Sequence, residues 1–437
     1  MRAGRIFLAL LLAIGLLGAV LNGAMIYSRF LYLGVSLAVL SWIWTQWAAR
    51  GLNVNRSARV LRANVGDIVE ENFEIINNSF VMAPWIEVLN KSTIPFAAGS
   101  RLFTYVTRRQ KRTYIARTYL TRRGGFLLGP TRISTGDPFG FFNSGKEIAP
   151  TQTLVVFPMI FQIQSFVFPP GLLPGGQIIR RKSSDITPHA SGVREYVHGD
   201  AMKRIHWPTS ARRNQLMVKE FEQDPQAEIW LYHDLQKNVH YEKPYHIEER
   251  TAESIMFGKP PKFHLPPSTL EYSISITASL AHYFIGQRRA VGYISAGQTY
   301  TVQSAERSQR QEAKILETLS FVEGNGSLSI AALVTAHASQ LPQGSSVVLV
   351  TPTVRPDLLL AVDDLQMRYL RPLVVLLEAE TFGGLHGTDV LVNSLRQRRV
   401  PFCVVACDAD LTQALSLLPS KIDTKDMRPW QTPALSQ

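Results

Sequence analysis

Three residue types that can cooperate in hydrolysis lie close together near the middle of the chain: Asp200, His206 and Ser210. An orienting carboxylate, a histidine base and a hydroxyl nucleophile form the catalytic trio of many hydrolases. The surrounding sequence does not favour this role, because Ser210 lies in S-A-R-R and the sequence has no G-x-S-x-G elbow. We therefore predict that the chain is not an enzyme, and keep a hydrolase that uses His206 and Asp200 as the alternative.

Histidines and cysteines are the other residue types that could bind a metal. Six histidines lie in one region: His189, His198, His206, His233, His240 and His246. None has the H-x-x-x-H or H-E-x-x-H spacing that places two imidazoles on one helix face. The two cysteines, Cys403 and Cys407, are spaced C-V-V-A-C, which is typical of neither a zinc site nor a redox pair. We expect buried cysteines, no metal and no cofactor.

The second half of the chain alternates short apolar runs with segments of helical period, which predicts an α/β, doubly wound parallel sheet. The strand-like runs are Ile229–Tyr232, Val291–Ile294, Val347–Val350, Leu373–Leu376 and Phe402–Val405. The clearest helical stripe is formed by Leu270, Ile274, Ala278, Ala281 and Ile285. Ligands of such sheets bind beyond the carboxyl ends of the strands. The loop that begins at His233 and Asp234 is therefore a candidate site, and the long segment 238–268 is expected to be functional or mobile.

A different pattern covers residues 51–160, where short alternating runs predict a small β-sandwich-like domain. Asn72–Ile75 and Trp85–Val88 alternate polar and apolar side chains, as half-buried strands do. The predicted turns are Asn77–Ser79, Gly124–Gly125, Gly129–Pro130 and Asp137–Phe142.

This domain also contains the densest basic stretch of a chain whose net charge is +12. The cations are Arg101, Arg108, Arg109, Lys111, Arg112, Arg117, Arg122 and Arg123. Interleaved with Tyr105, Tyr114 and Tyr119, they could bind phosphates while the rings stack on bases. The other interpretation is a solvated strand face close to anionic lipid. We predict the second and no specific nucleic acid, with nucleic-acid binding kept as an alternative.

Residues 1–50 predict a two-helix transmembrane hairpin. The runs Ile6–Met25 and Phe30–Ala48 contain no charged residue. Each has the ~20 residues that are needed to cross ~30 Å of hydrocarbon. A cleaved signal peptide is less favoured, because a second apolar run follows directly. Trp42, Trp44 and Trp47 are placed for the headgroup layer.

The orientation of the hairpin follows from its arginines. Arg2 and Arg5 precede the first run, Arg29 is expected in the connecting turn, and further arginines follow from Arg50 onward. Positive charge favours the cytoplasmic side. We therefore predict an inner or plasma membrane protein that crosses the bilayer twice and has a cytoplasmic soluble part.

The most distinctive stretch runs from Ser191 to Arg212 and reads S-G-V-R-E-Y-V-H-G-D-A-M-K-R-I-H-W-P-T-S-A-R. Together with R-R-G-G-F-L-L-G-P (Arg122–Pro130) and D-P-F-G-F-F, it resembles the bacterial and archaeal family catalogued as domain of unknown function fifty-eight. The core positions of this motif are Arg194, Tyr196, Gly199, Asp200, Arg204, Trp207, Ser210 and Arg212. The resemblance implies a membrane-anchored chain with a von Willebrand A-like domain and a MoxR-type AAA+ ATPase as partner.

The resemblance also implies where a metal would bind. Von Willebrand A domains hold Mg²⁺ through D-x-S-x-S and later loop residues, since hard cations prefer oxygen ligands. The matching positions here are Asp234, Gln236 and Asn238, and the family-like T-D-G is replaced by Thr351-Pro352-Thr353. We therefore predict a degenerate site without metal, whose face could still bind a partner.

From the residues of the motif we expect a buried charge network that clamps one domain on the other. Arg194, Arg204 and Arg212 would satisfy the carboxylate of Asp200, while Trp207 and Ile205 would supply apolar area.

The predicted segments after the hairpin and the strand-rich domain are a connector at 161–225, the α/β domain at 226–420 and a tail at 421–437. The family resemblance, together with the lack of catalytic spacing, implies a membrane-anchored scaffold or adaptor in assembly or quality control of cell-envelope or metalloprotein complexes.

Overall fold

The computed structural model describes residues 2–149, 152–166, 190–197, 202, 205–221, 228–245 and 263–416. The chain divides into two units. The first unit comprises Met1–Ile160, Lys243–Pro267 and Ala313–Val322, and the second comprises Phe161–Glu242, Ser268–Glu312 and Glu323–Gln437. The domain bounds derived from the sequence stay predictions.

The chain begins with two long helices, α1 (Arg2–Asn22) and α2 (Met25–Arg50). By length and composition, both could cross a membrane. One expectation was wrong: Arg29 lies inside α2, and the connection is the shorter Gly23–Ala24 segment. Gly23 has φ +62°, a left-handed conformation that glycine adopts without steric cost, so the chain reverses within two residues.

Small residues let the two helices approach closely. A Cβ atom on Gly15 would lie 2.8 Å from the backbone nitrogen of Leu31, and one on Gly34 would lie 2.8 Å from Cδ2 of Leu12. A side chain at Gly15 would force the helices apart, because its close contact is with backbone. At Gly34 the end of the Leu12 side chain would have to shift instead.

The strands of the first unit are β1 (Leu52–Ala58), β2 (Arg62–Asn64), β3 (Ile68–Asn77), β4 (Ala83–Asn90), β5 (Arg101–Val106), β6 (Lys111–Tyr119), β7 (Gly124–Leu128), β8 (Thr131–Gly136), β9 (Asn143–Ile148) and β10 (Gln152–Phe157). They form sheets of order β1-β3-β6, β5-β4-β8-β9 and β2-β10-β7. All pairs are antiparallel except β2 with β10. The expected strand-rich class is thus confirmed.

Alternation along the strands builds the core of this unit. Phe73 and Ile75 of β3 belong to the same hydrophobic cluster as Ile86 and Val88 of β4, as expected from their period of two. The predicted turn at Gly124–Gly125 was wrong, because both glycines open β7 and pair with β10. Backbone pairing satisfies their polar groups, so the two glycines continue a strand.

The elements of the remaining chain are β11 (Ala190–Glu195), α3 (Trp207–Arg213), β12 (Met217–Phe221), β13 (Ile229–His233), α4 (Thr269–Gly286), β14 (Val291–Ala296), β15 (Tyr300–Glu306), α5 (Gln309–Phe321), α6 (Ile330–His337), β16 (Ser346–Thr351), α7 (Asp357–Met367), β17 (Arg371–Leu377), α8 (Thr388–Gln397), β18 (Phe402–Val405) and α9 (Leu411–Ser416). The six-stranded sheet has the order β15-β14-β13-β16-β17-β18. Its neighbours are parallel except β14 and β15. The five predicted strands are thus parallel neighbours, and the unpredicted β15 adds an antiparallel strand at one edge.

Helices contact alternate side chains of the central strand. Tyr232 of β13 shares a hydrophobic cluster with residues of α6, α7 and α8. The next residue, His233, contacts Ser273 of α4. The α/β class is thus confirmed, whereas the von Willebrand A-like identity stays a prediction. The apolar surface of α4 is wider than the predicted stripe, since Tyr272 and Ile276 are buried as well.

Candidate functional site

Asp234 follows β13 directly, at the carboxyl end of the sheet. Its side chain is buried and accepts two hydrogen bonds, one from the Thr351 hydroxyl at 2.6 Å and one from the Gln236 backbone N–H at 3.1 Å. Its own N–H donates to the carbonyl oxygen of Val350 at 3.0 Å. Since β13 and β16 are parallel neighbours, the residues that follow them meet at one edge. The structure thus brings the predicted positions Asp234 and Thr351 together.

Burial dominates the electrostatics of this carboxyl group. Removal from water raises the pKa of Asp234 to about 6, although the hydrogen bonds from Thr351 and Gln236 oppose the shift. The charge of Asp357 raises the pKa further and that of Arg355 lowers it. The carboxyl group therefore titrates close to neutral pH. Asp357 and Arg355 were missed by the sequence analysis, although charged residues shortly after a buried strand are a usable signal.

The loop after Asp234 is held by a partly buried imidazole. His240 Nε2 lies 3.0 Å from the carbonyl oxygen of Asp234, and Nδ1 lies 3.2 Å from the Thr269 hydroxyl. Burial lowers the pKa of His240 to about 4, so its imidazole is neutral at physiological pH. Thr269 N donates to the Tyr241 carbonyl oxygen at 2.9 Å. These bonds fasten the start of the 238–268 segment to α4.

The donors at this edge do not fit a hard divalent cation. The Thr351 hydroxyl donates to Asp234 and so already occupies one carboxylate oxygen. Gln236 contributes its backbone N–H, and Asn238 is exposed in a short 3₁₀ turn. In the part of the chain that the structure describes, no group of three or more His, Cys, Asp or Glu could hold a metal.

The described histidines among the six named from the sequence make hydrogen bonds in different parts of the unit. His233 is fully buried, with Nε2 2.8 Å from the Ser273 hydroxyl and Nδ1 3.2 Å from the Tyr293 hydroxyl. His206 caps a helix and His240 holds the loop. The other three, His189, His198 and His246, lie outside the described residues.

The motif region contains a small hairpin of β11 and β12, with α3 packed beside β12. His206 is the N-cap of α3 and its Nδ1 accepts from Thr209 N at 3.2 Å. Its backbone N–H donates to the Met217 carbonyl oxygen at 2.8 Å. Backbone bonds and a side-chain cap together fix the start of α3 against the hairpin.

Ser210, the nucleophile in the less favoured hydrolase interpretation, joins the helix to the strand. Its hydroxyl donates to the His206 carbonyl oxygen at 3.0 Å and accepts from Met217 N at 2.9 Å. The side chain is buried. The third member of the trio, Asp200, lies outside the described residues. Backbone groups therefore use both functions of the Ser210 hydroxyl.

The expected charge network falls largely outside the described residues, which include neither Gly199, Asp200 nor Arg204. Arg194 pairs with Val218 in the hairpin, and Arg212 is exposed at the end of α3. Tyr196 N donates to the carbonyl oxygen of Leu216 at 2.8 Å.

Trp207 differs from the expectation that it packs inside. The side chain is 66% exposed, whereas Ile205 is buried as predicted. Other large apolar side chains near it are exposed too. We name this set the apolar patch; its members are Val197, Met202, Trp207 and Leu216. Tyr196 N donates to the Leu216 carbonyl oxygen and His206 N to the Met217 carbonyl oxygen, so the backbone beside Val197, Leu216 and Trp207 is joined. Met202 is bonded to Ile205, two residues before Trp207.

The basic strands of the first unit do not present the rings that base stacking needs. Tyr114 and Tyr119 are buried, and the Tyr114 hydroxyl donates to the Gly99 carbonyl oxygen at 2.6 Å. Tyr105 is exposed. Stacking on successive bases requires a row of accessible rings, which weakens the nucleic-acid alternative.

Several of the cations also have local partners. Arg117 Nε lies 3.0 Å from Glu70 Oε1, and Lys111 pairs with Glu74. The Arg108 guanidinium lies 4.2 Å from the centre of the Phe80 ring. Two of the eight cations are thus paired with carboxylates, and a third lies over an aromatic ring.

These observations define a chain with two apolar N-terminal helices, a strand-rich unit and an α/β unit whose motif segment presents exposed apolar side chains. The family described as "Protein of unknown function DUF58" matches residues 192–256, which include most of the hairpin, α3 and the Asp234 loop. An uncharacterized protein of Bacillus subtilis (strain 168), YeaD, is 29% identical over 177 residues. That match spans 39% of this chain and 42% of the relative.

Solved structures show only faint likeness. A CARDB domain from Pyrococcus furiosus, in complex with di-metal ions, is 12% identical with a TM-score of 0.18 and covers 24% of this chain and 86% of that one. A complex of zinc 2-glycoprotein and prolactin inducible protein from human seminal plasma is 11% identical with a TM-score of 0.17, covering 24% and 92%. At such scores, neither carries an argument.

Proposed function

We propose that this chain is a membrane-anchored interaction protein that binds a protein partner through the apolar patch on its second unit. In this proposal α1 and α2 cross the inner or plasma membrane and both units are cytoplasmic. The arginines that flank the helices support this orientation. The proposal includes the sandwich-like arrangement of the first unit and the von Willebrand A-like character of the second.

The observation that carries the proposal is the exposure of Trp207 within the family-matched segment. A tryptophan that is 66% exposed leaves a large apolar surface in water, and such side chains are frequent anchors of protein interfaces. Hydrogen bonds of His206 and Ser210 hold the first turn of α3, so the backbone that carries the Trp207 ring is fixed. Preorganisation of this kind lowers the cost of binding.

The partner that the family resemblance implies is a MoxR-type AAA+ ATPase. A scaffold that presents one apolar patch at the membrane would hold such an ATPase close to its substrates. The edge at Asp234 supplies a second candidate surface, because its amide and hydroxyl groups can bind a protein without a bridging ion. We place the main contact at Trp207, since apolar area contributes more to affinity than exposed polar groups do.

The test uses the full chain, purified in detergent, and the MoxR-type ATPase encoded in the same genome. Trp207→Ala should weaken binding by roughly tenfold or more, because hot-spot aromatics contribute at least about 2 kcal/mol. Trp207→Phe should retain most of the affinity. Leu360→Ala is the matched control, since Leu360 is a similarly exposed apolar residue (68%) on α7.

Two results would contradict the proposal. Equal affinity of wild type and Trp207→Ala would remove the patch as the contact, and no binding by wild type would remove the ATPase as partner. The membrane part is tested separately. After lysis and high-speed centrifugation the chain should sediment with membranes and resist extraction by carbonate; recovery in the supernatant would exclude anchoring.

A further inference from the structure

The turn that joins β8 to β9 is held in one shape by a buried carboxylate. Asp137 is 1% exposed. It accepts hydrogen bonds from the backbone N–H groups of Phe139, Phe141 and Phe142 at 2.9, 3.2 and 2.6 Å. Three charge-assisted bonds to one side chain make a rigid turn. We name residues 137–142 the aromatic turn.

One ring of the aromatic turn faces outward. Phe139 is 59% exposed, and it stacks on the buried Phe141 with ring centres 5.6 Å apart and planes 18° apart. Gly140 beside it has φ +75°, which disfavours a side chain at that position. The turn thus presents a single large apolar ring, at a fixed place, to whatever surrounds the protein.

The aromatic turn touches the start of α1. Arg5 Nε donates to the Phe141 carbonyl oxygen at 3.0 Å, and Arg5 Nη2 donates to Asn143 Oδ1 at 3.0 Å. A Cβ atom on Gly4 would lie 3.0 Å from the Phe139 carbonyl oxygen. The turn therefore lies at the level of residues 4 and 5 along the helical hairpin.

That level can be placed relative to a bilayer. The charge-free part of α1, Ile6–Asn22, is roughly 25 Å long at about 1.5 Å per residue, which is no longer than the ~30 Å hydrocarbon core. If α1 spans the membrane, Arg5 lies where the headgroups begin. Residue 15 lies opposite residue 31, and residue 12 opposite residue 34, so residue 5 lies opposite residue 41. Trp42, 53% exposed, sits at that same level, as interfacial tryptophans do.

We infer that the aromatic turn is a third membrane contact of this chain, in which the Phe139 ring enters the boundary between headgroups and acyl chains. The occupant of this surface is the lipid bilayer itself. The inference rests on the proposed membrane anchoring by α1 and α2. It adds that the first unit is held in a fixed orientation on the membrane, because a third contact point lies beside the two helices.

A second exposed phenylalanine provides a matched control. Phe80 is 75% exposed. It lies two residues after Asn78, whose N–H donates to the Gly51 carbonyl oxygen at 2.8 Å, so Phe80 is close to the end of α2. Gly51 lies ten residues beyond the level of Arg5 on α2, roughly 15 Å further along the helix axis. Phe80 should therefore stand in water, where the Arg108 guanidinium lies 4.2 Å from the centre of its ring.

The experiment places a nitroxide label at three single positions of the full chain, with Cys403→Ala and Cys407→Ala in the background. The labelled variants are Phe139→Cys, Phe80→Cys and, within α1, Leu16→Cys. The protein is reconstituted in nanodiscs of phosphatidylethanolamine and phosphatidylglycerol. Collisions of the label with oxygen, which enters lipid, are compared with collisions with a water-soluble nickel complex. Circular dichroism checks that each variant is folded.

The expected ratio of oxygen to nickel collisions is highest at position 16, and several-fold higher at 139 than at 80. A label at 139 that is as accessible to nickel as the label at 80, with position 16 in lipid, would overturn the inference and leave the anchoring intact. Equal lipid exposure at 139 and 80 would also overturn it, since another face would then lie on the membrane. Nickel access at position 16 would instead refute the anchoring itself.

Discussion

His240 Nε2 lies 3.0 Å from the backbone carbonyl oxygen of Asp234, so a partly buried base and a buried acid share one corner of the sheet. The pKa of Asp234 is raised and the pKa of His240 is lowered, so both shifts favour the uncharged side chain. Burial raises the pKa of the Asp234 carboxyl group to about 6 and lowers the pKa of the His240 imidazole to about 4. Neutral forms of both groups are therefore favoured in the same mildly acidic range.

This corner predicts two opposite pH dependences. The raised pKa of Asp234 contributes stability that is present at low pH and lost as pH rises from about 4 to 6. The lowered pKa of His240 contributes stability that is present near neutrality and lost as pH falls from about 6.5 to 4. Asp234→Asn should therefore be destabilised by acid, and His240→Gln should be stabilised by it, each by up to about 3 kcal/mol.

Hydrogen exchange of the β13 amides, measured by mass spectrometry from pH 4 to 7 and corrected for intrinsic rates, would detect both slopes. Wild type should show a flatter profile than either variant, because the two contributions oppose each other. The same sign of slope in both variants would contradict the assignment.

Ser210→Ala should loosen the motif hairpin. The substitution leaves the Met217 N–H, now bonded to the Ser210 hydroxyl, buried without a partner, which costs about 1–3 kcal/mol. Exchange of the amides in residues 205–221 should accelerate accordingly. Ser394→Ala on α8 is the control, since its exposed hydroxyl donates only to a helix carbonyl oxygen and its loss should change little. Unaltered exchange in Ser210→Ala would show that the Ser210 hydroxyl does not stabilise the contact between α3 and β12.

Arg56→Met should strongly destabilise the first unit. Arg56 pairs with Glu71, which is fully buried, and removal of the cation leaves an uncompensated charge at a cost of about 3–5 kcal/mol. The adjacent Glu70 pairs with Arg117 on a more exposed face, so Arg117→Met should cost no more than about 1 kcal/mol. Thermal unfolding in detergent compares the two. Similar losses in both variants would contradict the difference in burial.

The two cysteines should react at different rates. Cys403 is buried, and burial raises the pKa of its thiol to about 12, so little nucleophilic thiolate forms at neutral pH. Cys407 is half-buried. Alkylation with iodoacetamide at pH 7.5, followed by mass spectrometry, should modify Cys407 well before Cys403. Faster labelling of Cys403 would mean that β18 opens readily.

The regular elements were the part of the fold that local pattern could predict. All five apolar runs of the second half became strands, because runs of buried β-branched residues satisfy the needs of a central strand wherever they occur. The antiparallel edge strand β15 was missed. Its residues alternate between exposed and half-buried, and this pattern is weak in a polar sequence such as Y-T-V-Q-S-A-E.

The candidate site was predictable in place but not in detail. Asp234 and Thr351 meet because strand ends meet, a rule that the sequence alone supports. The role of Ser210 was not predictable, since its hydrogen bonds join groups on two different elements. The exposure of Trp207 was also unexpected, because tryptophan is on average among the more buried residue types.

The first unit is assembled from distant parts of the chain. Arg123 Nη2 donates to the Val322 carbonyl oxygen at 2.7 Å, and Ala313–Val322 belongs to the first unit. Ribosomes add about 5–20 residues per second, so this last segment emerges on the order of ten seconds after residue 160. During that interval the N-terminal helices have already emerged, while the strand-rich unit that follows them is still incomplete. With the membrane anchoring proposed above, insertion of the two helices would precede completion of the folded unit that they carry.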